Sequence, residues 1–176
     1  MTAPIAHLKS RFCEKNACIK VVGRANFNLA VEFNCLLTDF EAKGCTAFRL
    51  DLGECTLMDS TFLGVLSGFG LKFSLRNGAA EPHLVQLINP NDRIAELLEN
   101  LGVIHLFQVT RGEPENWDDL ADCAPGDATT SREVITKTCL EAHQKLVEIN
   151  PENEQRFKDV TKFLAEDLER LKKKDS

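Results

Sequence analysis

The chain has 176 residues, of which 43% are hydrophobic and 27% are charged, and its formal net charge at pH 7 is −6. This length and composition fit one globular domain of ordinary size plus an appendage. The negative charge argues against nucleic acid as a partner. No apolar run approaches the ~20 residues of a membrane span, so we expect no membrane insertion.

Seven cysteines are spread irregularly along the chain, and none forms a Cys-x-x-Cys pair. The first ten residues lack the apolar run of a secretory signal. The sequence therefore predicts reduced thiols in a cytoplasmic protein. Because the paired ligand spacing of a zinc site is missing, we expect no metal and no other cofactor.

Residues 1–110 alternate predicted strands with predicted helices. The strands have β-favouring residues, and the helices have apolar residues at helical spacing behind an Asn or Asp-Ser start. This order predicts an α/β fold with a four- to five-stranded mixed sheet and helices packed on it. The predicted strands span residues 8–14, 18–22, 46–52, 84–88 and 104–109, and the predicted helices span 26–43, 59–77 and 89–100.

The rest of the chain predicts an acidic linker, 111–128, and a two-helix extension, 129–176. The linker carries six acidic residues and one basic residue. We expect it to be ordered at most at the point where Trp117 docks. A capping box, Thr130 with Glu133, starts the first helix, and Asn150-Pro151 separates it from the second. A lone helical hairpin rarely buries enough surface to be stable. It must rest on the first domain, on a second copy of the chain as a homodimer, or on a different protein.

Small residues interrupt the apolar line of the second helix at Gly64, Ser67 and Gly68. Such residues allow the close approach of another backbone, either from the same chain or from a partner. Tight packing within the first domain is the simpler alternative.

Ser60 stands beside Asp59 at the start of that helix, where backbone N–H groups have no internal partner. Three roles are open: a nucleophile, a phosphate acceptor, or a helix cap. A nucleophile needs a general base, and no histidine stands in a motif that suggests a catalytic triad. Gly-x-Ser-x-Gly, P-loop and His-Glu-x-x-His motifs are also missing, so we expect no catalytic residue and no enzyme. The histidines are His7, His83, His105 and His143.

Residues 51–66 read DLGECTLMDSTFLGVL. This run resembles the signature of STAS domains, the family of bacterial anti-sigma factor antagonists, in which a strand and a short turn lead into Asp-Ser-Ser/Thr-Gly-Leu-Gly. Further similarity lies at Val22-Gly23-Arg24, Leu87-Ile88-Asn89-Pro90 and Leu101-Gly102, and it covers roughly residues 5–110. The matching positions of the signature are Asp59, Ser60, Thr61, Leu63 and Gly64.

The resemblance implies a phosphorylation-controlled partner switch in transcription regulation. Ser60 would be the phosphate acceptor, and Met58, Asp59, Thr61 and Gly64 would lie in the surface that binds an anti-sigma factor with serine kinase activity. A serine phosphatase would reset the switch. The alternative is a STAS scaffold subunit of a sensory or transporter complex that is never phosphorylated.

Three features depart from the family pattern, and one of them is Asn26, which stands where some antagonists carry an acidic residue. Phe62 stands where the family usually has Gly, and its ring points either inward, towards Val65 and Phe69, or outward, into the partner surface. The chain after Arg111 lies outside the resemblance, so the role of the C-terminal helices is open.

Overall fold

The computed structural model describes residues 5–77, 85–112, 117, 119–123 and 131–174. Within them, seven strands form one sheet in the order β6-β5-β3-β2-β1-β7, and β4 also pairs with β2. The strands are β1 His7–Cys13, β2 Asn16–Ala25, β3 Ala47–Asp51, β4 Cys55–Met58, β5 Val85–Ile88, β6 Gln108–Thr110 and β7 Ala121–Asp122. The helices are α1 Phe27–Ala42, α2 Ser60–Asn77, α3 Asp92–Asn100, α4 Arg132–Ile149 and α5 Asn153–Lys174.

The sheet is mixed, which confirms the predicted α/β class. β1 pairs antiparallel with β2 and β7, whereas β2, β3, β5 and β6 run parallel to one another. Sequence patterns missed β4 and β7, because four and two residues are too short to show a period. None of the helices in the described ranges is long and apolar enough to cross a membrane.

A bulge at Gly23 gives β2 two successive partners. Residues 16–20 of β2 pair with β3, and residues 23–25 pair with β4, with a register shift between Gly23 and Arg24. Gly23 has a φ of 81°, a value that glycine adopts without steric cost. The chain can therefore leave β3, turn, and return beside the end of β2, where α2 begins.

Several predicted boundaries are wrong. Residues 104–109 are not one strand: Ile104–Leu106 form a 3₁₀ turn, and the edge strand is β6. Ser131 caps α4 by accepting a hydrogen bond from Val134 N at 3.2 Å, and Thr130 lies outside the described residues. Asn153 begins α5, two residues later than predicted, because its side chain is buried and donates to backbone carbonyls of neighbouring elements.

Part of the predicted linker is attached to the sheet. β7 pairs with β1, and the Arg11 guanidinium lies 2.6 Å from the Asp119 carboxylate. Trp117 docks as predicted, with the Arg49 guanidinium 5.6 Å from its ring centre. Order in this segment thus extends beyond Trp117, because β1 offers an unpaired edge and a cation to an acidic chain.

The C-terminal hairpin, formed by α4 and α5, rests on the chain's own first domain. α4 packs against α2, and the turn between α4 and α5 is tied to the end of α3. The side-chain amides of Asn150 and Asn153 donate to the Leu101 carbonyl at 3.3 and 2.9 Å. The sequence left three possible supports for the hairpin, and the one observed is the chain's own first domain.

Candidate functional site

Asp59, not Ser60, caps α2. Strand β4 brings Asp59 beside the end of β2, where its backbone N–H donates to the Ala25 carbonyl at 3.0 Å. The Asp59 carboxylate then accepts a hydrogen bond from Phe62 N at 2.8 Å. Ser60 is the first residue of the helix, so its hydroxyl is free for another role. The interpretation of Ser60 as a cap is therefore wrong.

Burial raises the pKa of Asp59 above its ordinary value of 3.8. Hydrogen bonds from the backbone N–H groups of Phe62, Phe27 and Thr61 oppose this effect because they favour the carboxylate. Asp59 thus lies between the N-termini of α1 and α2, where two sets of unpaired N–H groups meet. The raised pKa shows that desolvation outweighs these hydrogen bonds.

We expect Asp59→Ala to lower the free energy of unfolding by about 1 kcal/mol, the usual cost of losing an N-cap. Asp59→Asn keeps an acceptor oxygen and removes the charge that is costly to bury. The folded state holds the Asp59 proton more tightly than the unfolded state, so ionisation destabilises the wild type as pH rises through this pKa. The stability of Asp59→Asn relative to wild type should therefore increase from pH 3 to pH 7.

Denaturant unfolding at several pH values measures this difference. Other groups titrate in both wild type and Asp59→Asn, so their contributions cancel in the difference between the two unfolding free energies. Asp59→Ala serves as the control for loss of the helix cap. If the stability of Asp59→Asn relative to wild type fell as the pH rose, the assignment of a raised pKa to Asp59 would be contradicted.

Phe62 points inward. Its side chain has no exposed surface, and its ring stacks on Phe33 of α1 with a centroid distance of 4.5 Å and an interplanar angle of 16°. Of the two orientations that the sequence left open, the inward one is observed. The residue that departs from the STAS signature therefore joins α2 to α1 and leaves the outer face of α2 unchanged.

The Ser60 hydroxyl lies 2.8 Å from Nε2 of His143 on α4. The Nδ1 atom of His143 lies 2.7 Å from the Cys139 carbonyl, which can only accept a hydrogen bond. In the neutral ring, Nδ1 therefore carries the proton and Nε2 accepts from Ser60. The His143 ring is buried and packs edge-on against Phe157 of α5, with the ring centres 4.8 Å apart.

Sequence reasoning did not connect His143 with Ser60, because 83 positions separate them. A usable signal was present: His143 follows Cys139 by four residues and precedes Leu146 by three. It therefore lies on the predicted apolar face of its helix, where a polar ring needs a partner.

Helix α4 covers the outer face of α2. A Cβ atom built on Gly64 would lie 2.4 Å from the Ala142 carbonyl oxygen, so the two backbones touch at Gly64. A Cβ on Gly68 would lie 3.5 Å from Cγ of Lys145. The contacts of Thr61 with Cys139, Gly64 with Ala142 and Gly68 with Lys145 advance along both helices, so α2 and α4 run in the same direction. This confirms that the small residues admit a second backbone, and the backbone is the chain's own.

The predicted partner-binding residues gather at one end of α2, but most are buried. Met58 is 8% exposed and Thr61 is 5% exposed, Gly64 is buried, and Asp59 is half-buried. Thr61 also forms a side-chain hydrogen bond with Cys139 of α4. Burial raises the pKa of the Cys139 thiol, and the hydrogen bond from Thr61 partly offsets this rise. α4 therefore covers Thr61 and Gly64 of the predicted surface.

The buried thiols of Cys45 and Cys55 belong to the hydrophobic core. All seven cysteines are free, and burial raises the pKa of Cys55 to about 11, which keeps that thiol protonated. No group of three or more residues able to hold a metal ion occurs within the described ranges.

Comparisons with known proteins identify the fold. No family model and no curated protein matches the sequence. The solved structure of the anti-sigma factor antagonist SpoIIAA in its unphosphorylated form matches with a TM-score of 0.52 and 13% identity, over 64% of this chain and 93% of that chain. SpoIIAA of Bacillus in its phosphorylated form matches with a TM-score of 0.50 and 13% identity, over 64% and 96%.

A third structure, of a putative anti-sigma factor antagonist from Thermotoga maritima, matches with a TM-score of 0.50 and 18% identity, over 59% of this chain and 85% of that chain. These matches cover nearly all of the known structures and leave much of this chain unmatched. The chain therefore has the STAS fold, as the resemblance predicted, with additional residues beyond the matched part.

Proposed function

We propose that this protein is a phosphorylation-switched binding module that binds an anti-sigma factor with serine kinase activity and so regulates transcription. The supporting observation is the placement of Ser60 as the first residue of α2, beside the capping carboxylate of Asp59, in a chain with the STAS fold. Ser60 is the proposed phosphate acceptor. Met58, Asp59, Thr61 and Gly64 form the proposed partner surface, and a serine phosphatase resets the switch.

The local electrostatics support such a switch. A phosphoserine adds a charge of about −1.5 to −2, which the N-terminus of a helix stabilises. The neighbouring carboxylate of Asp59 already accepts a hydrogen bond from Phe62 N in the first turn of α2. The phosphate would therefore stand beside a second negative charge at the start of α2. A partner that packs flush against this surface would be repelled.

We also propose that the protein is not an enzyme, although Ser60 and His143 have the spacing of a nucleophile and a base. Catalytic pairs of this kind orient the histidine with a third group, usually a carboxylate. Here Nδ1 of His143 bonds to a backbone carbonyl. A cleft of about 190 Å³ borders α2 and α4, but neither Ser60 nor His143 lines it.

The second candidate is a STAS scaffold subunit of a sensory or transporter complex that is never phosphorylated. The observation that favours it is the covered state of the site: the Ser60 hydroxyl is engaged by His143, and α4 packs over Gly64. In that case the interaction between the C-terminal hairpin and α2 is permanent.

Incubation of the full chain with serine kinases of the anti-sigma type and ATP separates the two candidates. We expect intact-mass spectrometry to show one added phosphate on the wild type and none on Ser60→Ala. In a binding assay with the same kinase, Ser60→Asp should lower the affinity by about tenfold or more because of charge repulsion. Ser60→Ala should retain binding.

The scaffold candidate predicts a different pattern. No kinase would add mass to the wild type, and Ser60→Asp and Ser60→Ala would bind any partner equally well. That pattern would rule out the switch.

A further inference from the structure

The face of α2 formed by Ser60, Gly64, Ser67 and Gly68, here called the Ser60 face, is in contact with the chain's own helix α4. His143 bonds to Ser60, Ala142 touches Gly64, and Lys145 lies over Gly68. A partner that packs on this face has no room while α4 is in place. A phosphoryl group on the Ser60 oxygen has none either, because Nε2 of His143 already lies 2.8 Å from that oxygen.

The Ser60 face differs from the core-facing side of α2. The opposite side carries large buried side chains such as Phe62, Leu66 and Phe73, whereas the Ser60 face carries only glycine and serine. The Ser67 hydroxyl is fully buried and finds no hydrogen-bond partner within the described part of the chain. A buried hydroxyl without a partner is unfavourable, and this penalty is removed when α4 moves away and water reaches Ser67.

The side of α4 in this interface is also partly polar. His143 and Ala142 contact Ser60 and Gly64 of α2, and Thr138, Glu141 and Lys145 of α4 line the cleft between the two helices. Separating α4 from the Ser60 face exposes polar side chains together with Ala142, whereas opening the core between α1, α2 and the sheet exposes large apolar side chains such as Phe33, Phe62 and Phe73. Elements with few buried apolar contacts open at lower free energy than the rest of a protein.

We propose that the C-terminal hairpin is a reversible intramolecular competitor for the Ser60 face. In the closed state it excludes the anti-sigma kinase, both as a binding partner and as the enzyme that would phosphorylate Ser60, and binding requires the hairpin to move aside. The apparent affinity for a partner is then reduced in proportion to the fraction of open molecules. This inference rests on the proposed function for the identity of the partner, but the opening of the hairpin does not depend on that identity.

The test uses the full chain and two variants that introduce the same residue on opposite sides of α4. Ala142→Glu places a carboxylate against the Gly64 backbone and should displace the hairpin. Gln144→Glu lies on the exposed side and should not. Hydrogen–deuterium exchange should be at least about tenfold faster in peptides from both α2 and α4 of Ala142→Glu, as expected when the open fraction rises by that factor. Peptides from β3 and β5 should be unchanged.

A second opening variant acts away from the Ser60 face. Asn153→Ala removes two hydrogen bonds, to the Leu101 and Leu146 carbonyls, at the turn of the hairpin. It should accelerate exchange in the same peptides by a smaller factor. This variant keeps the inference testable if Ala142→Glu fails to fold.

Binding to the anti-sigma kinase is the second readout, and it should be about tenfold tighter for Ala142→Glu than for the wild type and Gln144→Glu. The inference would be overturned if exchange in α4 became faster while exchange in α2 stayed unchanged. It would also be overturned if a kinase that binds the wild type bound Ala142→Glu and Gln144→Glu with equal affinity. If no kinase binds any variant while α2 and α4 exchange together, the hairpin still covers the face reversibly. In that case it is the proposed function that fails.

Discussion

Replacing Phe62 by alanine is expected to lower the free energy of unfolding by about 3–5 kcal/mol, the largest effect of any single substitution considered for this protein. The side chain is fully buried and stacks on Phe33 at a centroid distance of 4.5 Å. Its removal forfeits the transfer free energy of the ring and leaves a cavity between α1 and α2. Because both helices begin beside Asp59, a change in their packing also disturbs the cap of α2.

Denaturant unfolding of Phe62→Ala and Phe62→Leu measures the effect. The leucine variant fills most of the space and should lose less than half as much stability, since replacements that nearly conserve volume are tolerated best. Equal losses for the two variants would mean that the stacked ring itself, rather than buried volume, stabilises the contact. A loss below about 1 kcal/mol for Phe62→Ala would contradict the inward position of Phe62.

Adding a methyl group at Gly64 and at Gly68 should change stability in opposite directions. At Gly64 the new Cβ would lie 2.4 Å from the Ala142 carbonyl oxygen, so α4 must shift. Overpacking of this kind costs about 1–3 kcal/mol. At Gly68 the new Cβ would lie 3.5 Å from Cγ of Lys145, an ordinary contact. Alanine is a better helix former than glycine, so Gly68→Ala should gain about 0.5–1 kcal/mol.

Both variants have the same chemistry on the same helix, so each controls for the other. Thermal unfolding should place Gly64→Ala below the wild type and Gly68→Ala above it. Exchange of α4 amides should accelerate in Gly64→Ala only. If Gly64→Ala were as stable as Gly68→Ala, α4 would not contact α2 through its backbone at Gly64, and the covered state of the Ser60 face would be wrong.

Sequence patterns predicted only some of the elements that lead to Asp59 and Ser60. β3 and α2 were predicted because their apolar residues recur at strand and helix spacing. Strand β4 was missed, although it carries Asp59 to the N-terminus of α2, because pairing with residues 23–25 of β2 defines it rather than any pattern of its own. The identity of the cap followed from that placement. Asp59 accepts from Phe62 N, which leaves the Ser60 hydroxyl for His143.

The sequence by itself determined the α/β class, the position of Ser60 at a helix start, the presence of a C-terminal hairpin and the smallness of Gly64, Ser67 and Gly68. All of these depend on residues close in the chain, whose spacing records local structure. Only the tertiary structure decided that Phe62 points inward and that α4 places His143 within hydrogen-bond distance of Ser60. These contacts join elements tens of residues apart, and their selection depends on shape and burial that no local pattern contains.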